Sequence, residues 1–177
     1  MRGKADHYTQ QAKHEGYPAR SVYKLKELDE KMRLLPSSGA ILDVGASPGS
    51  WSLYAQRRQK SCRLVAVDLK PLEAALDRET ATVLQGDIFD AGVKKRIEEF
   101  APYRLIMSDA APSTTGNRTV DCGRSYSLTE GILGLVPELL APGGNFIAKI
   151  FQGGLERRLL TVLQQQFRSA RMIKPKA

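Results

Sequence analysis

The chain is poor in the side chains that hold metals or make cross-links. Its 177 residues include two cysteines, two histidines and a single tryptophan. Cys62 and Cys122 share no short spacing, and His7 and His14 lie in a polar opening stretch, so no metal site is expected and neither histidine is given a role. Two cysteines also exclude a disulfide scaffold and point to free thiols in a reducing compartment. No apolar run approaches the roughly 20 residues a membrane span needs. The longest candidate, Ile132 to Ala141, is interrupted by Pro137 and Glu138. The first residues are polar and charged, without the apolar core of a signal peptide. A cytoplasmic protein with no membrane partner is the expectation, and a monomer is the expected state.

What is present is a globular composition with a basic surplus. Hydrophobic residues at 42% and charged residues at 26% exclude a disordered chain, and the length suits one domain with a sizeable core. Twenty-seven Lys and Arg against nineteen Asp and Glu give a net charge of +8. Such a surplus suits a polyanionic partner, nucleic acid first, because neutralising phosphates releases counterions. Much of it is terminal: Arg2, Lys4, Lys13, Arg20, Lys24 and Lys26 at the front, Arg157, Arg158, Arg168, Arg171, Lys174 and Lys176 behind.

Hydrophobic periodicity predicts an alternating chain. Met1 to Arg20 reads as flexible or ordered by a partner. Ser21 can cap a helix whose apolar face is Val22, Leu25, Leu28, Met32 and Leu35, stopped by Pro36-Ser37-Ser38-Gly39. Strands are expected at Ala40 to Val44, Arg63 to Asp68, Ala81 to Leu84, Arg104 to Ser108 and Asn145 to Phe151, with a further strand beginning at Ala170 to Ile173. Helices are expected at Gly49 to Gln59, Ala91 to Phe100, Ser127 to Leu140, with Pro137 a kink or early end, and Leu155 to Phe167. Short apolar strands alternating with amphipathic helices imply an α/β fold, a mostly parallel sheet covered on both faces. The division expected is a basic N-terminal extension with its helix over 1–36, then the α/β unit over 37–177.

Two strand ends carry unusual charge. Asp109 closes Arg104-Leu105-Ile106-Met107-Ser108, and Lys149 sits in Asn145-Phe146-Ile147-Ala148-Lys149-Ile150-Phe151. An ionised lysine among Phe, Ile and Ala costs free energy unless paired, so it is either a structural ion pair or a group tuned for proton chemistry. The turn Leu42-Asp43-Val44-Gly45-Ala46-Ser47-Pro48-Gly49-Ser50-Trp51 has glycines at 45 and 49, which suit close approach of a ligand but not the dinucleotide spacing. Asp43, Asp68, Asp87 and Asp109 all fall at carboxyl ends of predicted strands, where open α/β sheets bind ligands. That acidic lining suits a ligand with a ribose, an amino group and a sulfonium charge, such as S-adenosylmethionine, with Asp68 on two ribose hydroxyls.

The sequence strongly resembles the FtsJ (RrmJ) family of S-adenosylmethionine-dependent ribosomal RNA ribose 2′-O-methyltransferases. The resemblance runs from about Ala19 to Pro175. It rests on Arg20-Ser21-Val22-Tyr23-Lys24-Leu25, the Asp43-to-Trp51 loop, Asp68-Leu69-Lys70-Pro71, Gln85-Gly86-Asp87, Ser108-Asp109-Ala110-Ala111-Pro112, Gly143-Gly144-Asn145-Phe146, Lys149-Ile150-Phe151-Gln152-Gly153 and Lys174-Pro175. It implies a Rossmann-like class I methyltransferase domain acting on ribosomal RNA or the large ribosomal subunit, with a uridine as target. It implies a Lys-Asp-Lys-Glu catalytic set carried here by Lys24, Asp109 and Lys149. The glutamate belongs to a last strand beyond Lys174-Pro175, and the sequence is expected to be shortened before it. The resemblance also places Gly49, Trp51, Asp68, Asp87 and Asp109 on the cofactor, and Ser50 stands where the family often has glycine. In this reading Lys149, tuned by burial and by nearby Lys24, accepts or steers the hydroxyl proton. Asp109 orients Lys149 and Lys24 positions the ribose.

Arg20, Lys24, Lys26 and Arg33 on the helix are candidates for RNA phosphates. Tyr8, Tyr17 and Tyr23 are candidates for base stacking, with Tyr23 equally suited to the core. Rival readings are a tRNA or cap ribose methyltransferase, and a non-catalytic ribosome-assembly factor that keeps the fold. Asp109-Ala110-Ala111-Pro112 lacks the Pro-Pro-aromatic run of adenine N6 methylation, and the glycine spacing disfavours a nicotinamide oxidoreductase.

Overall fold

The chain forms one parallel sheet with helices on both faces. The computed structural model describes residues 2–176, with side chains from residue 7 onward. In chain order the elements are α1 (Arg2–His14), α2 (Val22–Met32), β1 (Gly39–Val44), α3 (Ser50–Arg58), β2 (Cys62–Asp68), β3 (Ala81–Gln85), α4 (Ala91–Glu98), β4 (Tyr103–Ser108), α5 (Arg118–Leu139), β5 (Leu140–Ala148) and α6 (Glu156–Gln166). The sheet order is β3-β2-β1-β4-β5, with every neighbouring pair parallel.

Alternation along the strands divides the interior in two. Ile41, Leu64, Leu105 and Met107 face a cluster completed by Val22, Leu25, Trp51 and Tyr54 from α2 and α3. Their neighbours Leu42, Val65 and Ile106 face the opposite cluster with Ile97, Ile132, Leu133 and Leu159 from α4, α5 and α6. Successive side chains point to opposite faces of a strand, so nearly continuous apolar runs are what a doubly covered sheet requires.

Four expectations are corrected. The opening segment is helical: α1 docks through Ala12, 1% exposed, and through Tyr8, whose ring lies 5.3 Å from that of Tyr23. Among its described side chains these two, four apart, meet the core, too few to stand out as a periodic pattern. Met1 lies outside the described residues, as do the side chains of Arg2 and Lys4.

Helix α5 starts at Arg118, nine residues before the expected Ser127, because the Asn117 carboxamide accepts the backbone N–H groups of Thr119 and Val120. It runs through Pro137 to Leu139. β5 pairs with β4 from Leu140 and ends at Ala148, which is in register with Ser108; residues 141–144 bulge between the pairs Tyr103↔Leu140 and Leu105↔Asn145. Residues 170–173 form no strand. Met172 and Ile173 stay about two-fifths exposed, and beyond them the Lys176 N–H donates to Glu27 Oε2 at 2.7 Å.

One buried carboxylate fixes α2 against the rest. Asp29 is 7% exposed; its Oδ1 accepts the Leu35 N–H at 3.0 Å and its Oδ2 the Tyr54 hydroxyl at 3.1 Å, while its carbonyl accepts the Arg33 N–H. Arg33, at φ 52°, ends the helix in the left-handed conformation. Asp29→Ala strands a buried N–H and a buried hydroxyl, and is expected to cost about 2 to 3 kcal/mol in urea unfolding. A loss below about 0.5 kcal/mol would show that α2 is held by apolar packing alone.

Candidate active site

The strand register brings the two charged ends together. Ser108 and Ala148 are partners, so Asp109 and Lys149 leave the sheet side by side, and the Lys149 N–H continues the ladder to the Ser108 carbonyl at 2.9 Å. Lys149 therefore lies one residue beyond β5 rather than inside it, and is a quarter exposed at its side chain. Its ammonium donates to the Asp109 carbonyl at 2.6 Å and sits 2.7 Å from Asp109 Oδ1. The second contact is an ion pair without hydrogen-bond alignment: Oδ1 is buried and has no hydrogen-bond partner. Lys24, in the first turn of α2, and Lys149 line one cleft of about 530 Å³ together with Arg118, Asp121 and Phe151.

Lys24 is aimed there by the loop after β1. Ser50, 2% exposed, accepts the Ala19 N–H on its hydroxyl at 2.7 Å, and the Trp51 indole N–H donates to the Ser21 carbonyl at 2.9 Å. The two residues hold the strap from Ala19 to Ser21 that leads into Lys24. The Trp51 ring itself is 5% exposed, in the core rather than on an open ligand surface.

The four strand-end aspartates have different surroundings. Asp43 is fully buried; its Oδ2 accepts the Ser52 hydroxyl at 2.6 Å, and its Oδ1 has no partner. Burial pushes its carboxyl up to about 7, against the Ser52 hydrogen bond and with help from the charges of Asp109 and Asp68. Asp68 already serves the backbone, accepting the Ser47 N–H on Oδ2 and the Lys70 N–H on Oδ1, each at 2.8 Å. Asp87 is exposed, with Oδ1 taken by the Phe89 N–H.

Gly45 and Gly49 are needed for contact within the chain. A Cβ on Gly45, at φ 71°, would meet Ala110 Cα at 2.5 Å, and one on Gly49, at φ 109°, would meet Ala74 Cβ at 2.5 Å. The glycines thus let the β1 loop seat against the loop that follows Asp109 and against residue 74.

The four basic candidates do not share one face. Arg20 precedes α2 and is exposed; Arg33 caps its far end. Lys26 lies about 200° around the helix from Lys24, on the side of Arg33, seven residues on. Tyr23 is 6% exposed, so it is core, and burial pushes its phenol up to about 12. Tyr8 packs partly buried against the same core, and Tyr17 carries the Arg57 guanidinium 4.7 Å over its ring. Each of the three thus has a ring face engaged within the chain.

Asp121 was missed at the sequence level. It accepts the Thr115 N–H, the Thr115 hydroxyl and the Gly116 N–H, so it ties the loop after Asp109 to α5. Its signal is the Asn117 cap followed four residues on by an acid. The backbone N–H of Thr115, foremost, holds this carboxyl below the usual range. Among the described residues no group of three His, Cys, Asp or Glu side chains is placed to hold a metal, and no helix is long and apolar enough to cross a membrane.

A family model described as FtsJ-like methyltransferase matches residues 17–177. The chain belongs to this family. It is 46% identical over 173 residues to the ribosomal RNA large subunit methyltransferase E of Treponema denticola, covering 97% of this chain and 87% of the relative. It is 49% identical over 172 residues to the protein of the same description in Borrelia duttonii, covering 97% and 88%. A Plasmodium falciparum crystal structure described as a ribosomal RNA methyltransferase superimposes with a TM-score of 0.82 at 30% identity, covering 90% of this chain and 92% of that one. The FtsJ-like fold and the methyltransferase class expected from the sequence are thereby established.

The buried Asp43 predicts a pH dependence. Its folded pKa lies above the ordinary value of 3.8, so the folded state binds more protons between pH 3.8 and about 7. The stability from the neutral carboxyl is complete below the lower value and is lost as pH rises through the upper one, to a total of about 4 kcal/mol. Asp43→Asn should therefore gain melting temperature relative to the parent as pH rises from about 5 to about 8. Parallel melting curves across that window would contradict the buried charge.

Proposed function

We propose that the chain transfers a methyl group from S-adenosylmethionine to a ribose 2′-hydroxyl of RNA, with a uridine of large-subunit ribosomal RNA as target. The observation that carries this is the pairing of Lys149 with Asp109 at the end of the sheet, in a cleft that Lys24 also lines. The relatives' descriptions as large-subunit ribosomal RNA methyltransferases point to the same substrate. A net charge of +8 suits an RNA partner, and the cytoplasm, where ribosomal subunits are met, is the place of action.

The residues around the strand ends fit an amine-bearing cationic cofactor. Asp109 stands at the crevice with Oδ1 already 2.7 Å from the Lys149 ammonium, and Asp43 beneath it keeps one buried oxygen, Oδ1, without a hydrogen-bond partner; carboxylates so placed suit a positive ligand. Asp87 is open to solvent, and the loops after β2 and β3 expose two large apolar side chains, Leu69 at 68% and Phe89 at 48%, apolar surface for a base. Asp68 would hold the ribose through the acceptor capacity its backbone partners leave, and Gly45 and Gly49 shape the turn. When bound, S-adenosylmethionine supplies a methyl group already activated on a sulfonium.

What this chain must add is alignment and a route for one proton. Asp109 fixes the Lys149 side chain through its carbonyl and its carboxylate. Lys149 holds the ribose oxygen in line for attack and steers the proton that leaves it out to solvent. Lys24, just after the strap held by Ser50 and Trp51, positions the sugar from within the same cleft.

Lys149→Ala should lower methyl transfer to under-methylated large ribosomal subunits by about 100-fold or more. Binding of S-adenosylmethionine, measured by calorimetry, should stay close to that of the parent. Turnover near the parental rate would overturn the role of Lys149.

A further inference from the structure

The cleft that holds Lys24 and Lys149 has a neighbour. A second cavity of about 410 Å³, lined by Thr119, Gly153, Gly154 and Glu156, shares Arg118, Cys122 and Gln152 with the first. Arg118 stands on the common wall, at the first position of α5. It is exposed, and its described hydrogen bond is a 3.4 Å contact from Nη2 to the Gln152 carbonyl, beyond the usual range for a strong N–H···O bond. Among the described residues no carboxylate pairs with it.

The acids in both chambers are already occupied. Asp121 accepts from Thr115 and Gly116, and Glu156 Oε2 accepts the N–H groups of Gly153 at 3.2 Å and Gly154 at 2.6 Å. Both carboxylates stay ionised but are turned to loop N–H groups, so Lys24, Arg118 and Lys149 are the cations the paired chambers offer to a ligand, two on one side of the shared wall and one on the wall itself. A ribose with its flanking phosphate has that distribution of need: a hydroxyl at the lysines and an anion one step away. A guanidinium suits the second position because its planar fork meets two phosphate oxygens at once.

We propose that Arg118 binds the phosphate beside the target ribose, and that the second chamber receives the adjoining nucleotide. This rests on the RNA methyltransferase reading. Arg118 positions the substrate and fixes which nucleotide reaches Lys149 without reading its base, as phosphate contacts do.

Equilibrium binding tests this without turnover. A single-stranded ribosomal RNA fragment is titrated against the parent, Arg118→Ala and Arg118→Lys between 50 and 200 mM salt, as in the usual counterion-release range. Arg118→Ala should weaken binding about tenfold at the lower salt and reduce the slope of log affinity against log salt by about 0.7 to 1. Arg118→Lys should restore the slope and only part of the affinity, since the charge returns without the fork. Parental affinity and slope in Arg118→Ala would overturn the assignment. Equal losses in both variants, with lowered melting temperatures, would overturn it too, in favour of a structural arginine. Absence of salt-dependent RNA binding by the parent would instead bring down the RNA reading on which the proposal stands.

Discussion

The parallel register of β4 against β5 is the constraint on which the site depends. Pairing Ser108 with Ala148 makes the next residue of each strand a neighbour, and those residues are an acid and a base. The pair sits where the ladder ends, so the Lys149 backbone is still held by Ser108 while its side chain is free to turn towards the Asp109 carbonyl. A slip of one residue in β5 would send Lys149 to the other face of the sheet. The interior guards against that slip, because Phe146 and Ile147 of β5 pack against opposite clusters and would have to exchange them.

A second dependence runs through the loop after β1. Its glycines press it against Ala110 and Ala74, its buried Asp43 and Ser52 lie beneath it, and Ser50 and Trp51 reach out to the strap before Lys24. One turn therefore shapes the acidic side of the crevice and locates a lysine of the basic side. Acids lie at the ends of β1 to β4, and the cation Lys149 follows β5 and shares its cleft with Lys24 and Arg118. The geometry suits a cationic donor on one flank and an anionic acceptor on the other.

The sheet was legible in the sequence because fully buried parallel strands leave nearly continuous apolar runs, such as Leu64 to Val67 and Leu105 to Met107. The Lys24–Asp109–Lys149 grouping was legible through family resemblance and through the oddity of a lysine among Phe, Ile and Ala. Other features depend on tertiary contacts that no periodicity reports. Helix α1 rests on Tyr8 and Ala12, and the first turns of α5 are polar and owe their start to the Asn117 side chain. Residues 170–173 have strand propensity but no strand partner among the described residues. The four aspartates share a position in the fold but not an environment: neighbouring side chains and backbone N–H groups decide which oxygens remain for a ligand. Asp121 and Glu156 show the same effect in reverse, being acids whose oxygens are taken up by loop N–H groups.

The central claim is that the paired lysines and Asp109 present a ribose hydroxyl, rather than a base, to the methyl donor. The direct measurement is to label under-methylated large ribosomal subunits with methyl-labelled S-adenosylmethionine, hydrolyse the RNA in alkali and locate the label. Methylation of a 2′-oxygen blocks cleavage at that nucleotide, so the account predicts label in a dinucleotide that survives alkali. Label confined to mononucleotides would place the methyl on a base and contradict the account.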